Sequence, residues 1–171
     1  MKENKADKGS ENLSEMLGVL ARCAAPGAKP ATVAELDVLN AGFAGPEQWL
    51  GLRYTSISSE RVEASMVVQQ CHMQPWGDVH GGVYAMCAES VASILATMGA
   101  IAASKTHAVG VTNSTEFLTP VRSGVLDVVA TPVRQGYVSS LIDVAMFQRD
   151  KLVAVSRVRT IQKPTQQAHG R

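Results

Sequence analysis

Apolar residues recur along this chain with two different periods, and the change falls near Trp49. Upstream, Asn12 with Glu15 three residues on resembles a helix start. Leu13, Met16, Leu17 and Leu20 follow at helical spacing, which predicts a short amphipathic helix to about Ala25. Pro26, Gly27 and Pro30 break it. Thr32 and Glu35 form a second capping-box pattern and open a helix through about Phe43, ended by Gly45 and Pro46. Residues 1–11 are polar and charged and read as a disordered tail. Residues 1–46 are therefore expected to be an accessory extension, partly disordered, with one or two short helices.

Downstream the period shortens to that of strands. Residues 49–58 and 61–69 predict two strands joined at Ser58-Ser59-Glu60, with Val62, Ala64, Met66 and Val68 on one face. A loop runs from Gln69 to Asp78, and a long apolar helix from about Val79 to Ala103. Four more strands are expected at about 107–118, 124–134, 138–148 and 151–162, with Gln135-Gly136 and Arg149-Asp150 as turns. Residues 164–171 read as a loose polar tail. Runs of strands around one helix argue an antiparallel α+β domain over 47–163. A helix apolar on nearly all sides must be covered on most of them. A curved sheet wrapped around it does most of that, and a second subunit can cover what remains.

The length of that helix raises the question of a membrane span. Its many Ala, Ser, Thr and Gly residues, with Glu89 in the middle, fit a helix buried in a soluble domain better, because a mid-helix carboxylate is costly in lipid. The formal net charge of +1 gives no general attraction to nucleic acid or to an anionic membrane. Cys23, Cys71 and Cys87 form no CxxC pair, so a zinc site or disulfide framework is not expected and a reducing cytosol is the natural compartment. The polar amino terminus lacks the apolar stretch of a signal peptide.

Candidate chemistry concentrates between Gln74 and Ser93. Gly81 and Gly82 fall in the first turn of the long helix, where backbone N–H groups have no intrahelical partner and a ligand can come close. With the helix dipole they suit an anion or a developing oxyanion, unless they only relieve crowding. Glu89 lies in an apolar run with no Lys or Arg between His80 and Lys105, so it is either a functional carboxylate or a surface-facing or structurally hydrogen-bonded one. Ser93, one turn on, shares its face and can orient it or bond a carbonyl. Gln74 can offer its amide to a carbonyl oxygen, and His80 can support that end of the site or simply the loop. Trp76 and Tyr84 can line an aromatic pocket or serve as packing.

Spacing adds one constraint. Gly81 and Glu89 are eight residues apart, which is ~12 Å along a helix axis. Donor and base must both lie within roughly 3 Å of the reacting atoms. One helix does not easily supply both to one carbonyl, whereas two antiparallel copies side by side can. A two-fold dimer would then hold two equivalent sites.

The spaced set Gln74, His80-Gly81-Gly82, Glu89 and Ser93 resembles the hotdog-fold thioesterases, specifically the PaaI-like and 4-hydroxybenzoyl-CoA thioesterase (Arthrobacter-type) branch. Val109-Gly110 with Asn113, Thr115, Phe117 and Pro120-Val121 looks like that family's third strand, and Leu152-Val-Ala-Val-Ser156 its last. The resemblance covers about 49–163. It implies a hotdog fold, acyl-CoA hydrolysis, dimers pairing into tetramers, and no cofactor beyond the CoA that is part of the substrate. It implies Glu89 as nucleophile or general base and the Gly81 amide as donor to the thioester oxygen, with Gln74, His80 and Ser93 in support. Gly82, Trp76, Tyr84, Asn113, Gly136 and Tyr137 are the expected substrate-binding positions. Two departures stand out: Thr119 occupies a place where the branch often has an Arg for CoA phosphate, and Tyr137 one where it often has Ser or Thr. Arg122, Arg134, Arg159 and Lys163 are the available cations.

The leading expectation is therefore an acyl-CoA thioesterase acting on an aromatic or medium-chain acyl group. A hotdog dehydratase lacks a recognisable His–Asp or His–Glu arrangement here. A non-catalytic acyl-CoA-binding or sensor protein, with the amino-terminal helices as effector part, is the other alternative; those helices carry no basic stripe for DNA.

Overall fold

The structure, a computed structural model, describes residues 5–164. The loose ends expected at residues 1–4 and 165–171 lie outside the described residues. Helix α1 spans Lys5–Ala24 and so begins well before Asn12, where the tail was expected to end. Its buried side chains Met16, Leu20, Cys23 and Ala24 recur at three- and four-residue steps, the stripe that lays a helix on a core. Helix α2, Val33–Gly42, starts at the expected box: Thr32 accepts from the Glu35 N–H and Glu35 accepts from the Thr32 N–H. Arg22 of α1 grips the same Glu35 carboxylate, tying the two helices together.

Pro46–Leu50 form a short helix, α3, which takes in Trp49 and Leu50, where the first strand was expected to start. Pro at its first turn has no N–H to lose, and Gly51 ends it with φ +63°. Strand β1, Arg53–Ile57, follows, and β2 spans Val62–Val67. A 3-10 turn at Gln70–His72 leads into the loop before helix α4, Gly81–Ala102. Strands β3 (His107–Phe117), β4 (Val125–Gln135), β5 (Ser139–Gln148) and β6 (Lys151–Lys163) end within a residue or two of the expected limits.

The six strands form one antiparallel sheet in the order β1-β2-β4-β5-β6-β3. Helix α4 packs against β2 through β6 on one side and against α1 and α3 on the other. Its small residues, Ala88, Ala92, Ala96 and Ala100 among them, let the sheet close in on it. The helix is long and apolar enough to cross a membrane, yet twelve of its residues are buried within the domain. Ser90, polar on the back of α4, donates to Glu47 Oε1 of α3 at 2.8 Å. The architecture is thus the expected sheet wrapped around one long helix, with the amino-terminal helices covering the helix's other side.

Candidate active site

The loop before α4 is held by its own backbone. Gln74 and Asp78 close a tight turn through Gly77, whose φ of +86° favours glycine. Val79 donates to the Val121 carbonyl and His80 to the carbonyl of fully buried His72. His80 is the N-cap of α4, and its Nδ1 accepts from the Gly82 N–H at 2.9 Å. The Gly82 amide is thereby occupied, while no acceptor meets the Gly81 N–H among the described residues. Of the two expected glycine donors, the one the chain leaves available is Gly81.

Beside it opens a cavity of about 350 Å³, lined by Gln74, Asp78, Gly81, Tyr84, Phe117 and Thr119 among others. Phe117 lies across Gly81 so closely that a Cβ there would come within 2.8 Å of the ring. Tyr84 packs at 5.7 Å from the Phe117 ring centre, and burial pushes its phenol up to about 12. Gln74 Oε1 accepts from the Trp76 N–H at 2.6 Å, which leaves its amide nitrogen, 3.5 Å from Asp78 Oδ2, as a donor toward the cavity. Arg122 pairs with the other Asp78 oxygen at 2.8 Å. Trp76 is 85% exposed and is not part of this lining.

Glu89 sits two turns along α4, half-buried, on the flank that faces β3. Two features of β3 receive it. Gly110 has no side chain where the carboxylate rests: a Cβ there would lie 1.9 Å from Glu89 Oε1. Asn113 donates its amide to Glu89 Oε2 at 3.1 Å and to the Ala85 carbonyl at 2.9 Å. A bulge between Gly110 and Thr112 explains how both residues face α4. Strand side chains alternate, so positions 110 and 113 would point to opposite faces without the extra residue. Thr115 continues the chain of contacts: its hydroxyl donates to Asn113 Oδ1 at 2.9 Å and meets Ser156 Oγ at 2.7 Å. Ser93 is half-buried one turn beyond Glu89. Cys87, two residues before Glu89, is deep in the core, where burial pushes its thiol up to about 12 and leaves it no nucleophile.

The structure therefore divides the expected residues into three places. Gln74, Gly81 and Tyr84 share the cavity at the start of α4, with His80 and Gly82 capping the helix beside it. Glu89, Asn113 and Ser93 lie further along. Gly136 and Tyr137 lie at the β4–β5 turn near the far end of α4, where Lys105 Nζ sits 3.9 Å from the Tyr137 ring centre. Gly110, Thr115 and Ser156 were named from the sequence only as strand positions and Asp78 only as a loop end, not as parts of the site. A glycine inside an otherwise strand-like run is the one signal that pointed to a bulge or a close approach at 110.

The thioesterase superfamily model matches residues 77–155, a stretch that holds the loop end, α4 and most of the sheet. A Mycobacterium tuberculosis protein named "Putative esterase Rv1847" is 34% identical over 116 residues, which is 64% of this chain and 80% of that protein. This chain belongs to the thioesterase superfamily. The solved structure of the Mycobacterium tuberculosis relative matches this superfamily member with a TM-score of 0.68 at 30% identity, covering 71% of this chain and 98% of that one. Thioesterase HI1161 of Haemophilus influenzae matches with a TM-score of 0.69 at 29% identity, covering 79% and 94%. The Escherichia coli PaaI protein, at 21% identity and a TM-score of 0.62 over 68% and 82%, shares the fold.

Proposed function

We propose that the chain is an acyl-CoA thioesterase of the PaaI-like type, with Glu89 as nucleophile or general base and the Gly81 N–H of a second copy holding the thioester oxygen. The observation that carries this is the seating of Glu89: its carboxylate lies on bare backbone at Gly110 and is oriented by Asn113 at the open edge of the sheet. Membership of the superfamily makes thioester hydrolysis the reaction class.

The second copy follows from the geometry of β3. It is the last strand of the sheet, eleven residues long, and shows Val109, Val111 and Phe117 to solvent. A long apolar edge is a template for pairing with another strand. Phe117 marks Gly81 and Gly110 marks Glu89 along this one edge. Antiparallel self-pairing about a two-fold axis near Asn113 and Ser114 sets Gly110 opposite Phe117 of the partner subunit. Each Glu89 then faces the partner's Gly81, and the ~12 Å gap within one helix is bridged. Further pairing of two such dimers into a tetramer belongs to the same proposal.

Two routes fit the carboxylate. In one, Glu89 attacks the carbonyl carbon, CoA leaves as thiolate, and water hydrolyses the resulting anhydride. In the other, Glu89 takes a proton from the attacking water, and the departing sulfur receives a proton as the acid forms. Either way negative charge develops on the carbonyl oxygen, where Gly81 and the amide of Gln74 stabilise it. Tyr84 and Phe117 give the cavity an aromatic wall, which suits an aromatic or medium-chain acyl group.

The test is thiol release from a panel of aromatic and medium-chain acyl-CoAs. Glu89→Gln is expected to lower kcat by ~10²–10⁴-fold with fold and assembly unchanged. Turnover undiminished in that variant overturns the proposal.

A further inference from the structure

Behind Glu89, on the face of the sheet that meets α4, lies a row of buried hydroxyls that the reaction above does not use. Thr160 of β6 is directly opposite Gly110 of β3, and Ser140 of β5 is directly opposite Thr160. Residues directly opposite in an antiparallel pair point to the same face, with Cβ atoms about 4.5–5.5 Å apart. The missing Gly110 Cβ points at Glu89 Oε1. Thr160 and Ser140 therefore stand in line with that oxygen, one and two strands further in. Thr160 is 0% exposed and Ser140 2%, and neither hydroxyl meets a hydrogen-bonding group among the described residues. Gln162, one step along β6 on the same face, donates its amide nitrogen to the Gly136 carbonyl and keeps a buried free oxygen.

Buried hydroxyls are seldom left unpaired, because each loses its hydrogen bonds to water and gains nothing in return. The two do not bond each other, although they face across neighbouring strands. Among the described residues Glu89 Oε1 has no donor either; the Asn113 amide goes to Oε2. A carboxylate oxygen that only accepts, one strand from a hydroxyl that can donate and accept, is a pair that one water bridges; Ser140, a strand further on, is about 9–11 Å from the Gly110 Cβ position and beyond that water's reach.

We infer that Thr160 anchors a buried water that donates to Glu89 Oε1, making Thr160 a positioning residue for the carboxylate. This rests on the reading of Glu89 given above. Asn113 holds one oxygen from the strand edge, and the water holds the other from beneath. The plane of the carboxylate is then set from both sides, and its remaining lone pairs face the substrate. The water is not consumed, and no proton leaves it.

The test replaces the hydroxyl by a methyl of the same shape. Thr160→Val is expected to lower kcat about tenfold with KM unchanged, since a small misplacement of a reacting group affects the chemical step and not binding. Thr160→Ser restores the hydroxyl and is expected to restore kcat. Thr160→Ala is expected to give a like loss and serves as the test if Thr160→Val does not fold. A folded Thr160→Val enzyme with kcat within about twofold of the parent, beside an inactive Glu89→Gln enzyme, overturns the water anchor alone. An active Glu89→Gln enzyme overturns the reading beneath it.

Discussion

Gly110 is where a single atom decides the candidate site. The Cβ it lacks would overlap Glu89 Oε1 at 1.9 Å, while everything else near it is the far end of that same flexible side chain. Gly110→Ala should therefore fold, because the glutamate can swing away. It cannot do so and keep its bond to Asn113. The expected outcome is a loss of turnover on the order of 10²-fold with a thermal midpoint within a few degrees of the parent. Circular dichroism melting beside the thiol-release assay reads both. An active Gly110→Ala enzyme would mean that the carboxylate works from a different position.

Among the elements, the amino-terminal pair is held by a charge whose behaviour with pH can be worked out. Glu35 receives the Arg22 guanidinium, the Thr32 N–H and the Thr32 hydroxyl, and these hold its carboxyl down to about 2. The Arg22 bond is the largest cause. Because the folded state prefers the charged form, this clasp stabilises fully above the ordinary carboxyl value near 4.5 and fades as pH falls toward about 2. The pair is solvent-exposed, so salt weakens it. Glu35→Gln should thus melt below the parent at pH 7 by a small margin that narrows as the pH is lowered through 4.5 toward about 2. A gap independent of pH would point to packing and not charge.

For the whole molecule, the question is whether one site needs two chains. Glu89→Gln lacks the carboxylate, and Gly81→Val blocks the amide under Phe117. Each homodimer is expected to be inactive. Mixed and allowed to exchange, half the dimers carry one of each chain, and each of those has one intact site of two. Recovered activity should approach about a quarter of the parent value. No recovery, with exchange confirmed by native mass spectrometry, would place Gly81 and Glu89 in the same catalytic unit within one chain, or neither in it.

Hydrophobic period and turn residues alone were enough to order the elements, place the Arg149-Asp150 turn and mark α4 as a covered helix, because these depend on residues near each other in the chain. The capping box at Thr32 and Glu35 was legible for the same reason. Two local readings failed where competing signals overlapped. Trp49 and Leu50 read as the start of a strand, yet Pro46 and Gly51 frame a helical turn that includes them. The charged residues ahead of Asn12 read as tail, yet α1 runs back to Lys5. Glu89, Gly81 and Gln74 could be named from spacing, but their surroundings could not. That Asn113 reaches Glu89, that Gly110 lies beneath it, and that Thr160 stands next in line all depend on one bulge and on strand order, which bring residues more than twenty positions apart into contact. Pairing across a sheet is chosen by the packing of the whole domain, so only the folded chain reveals it.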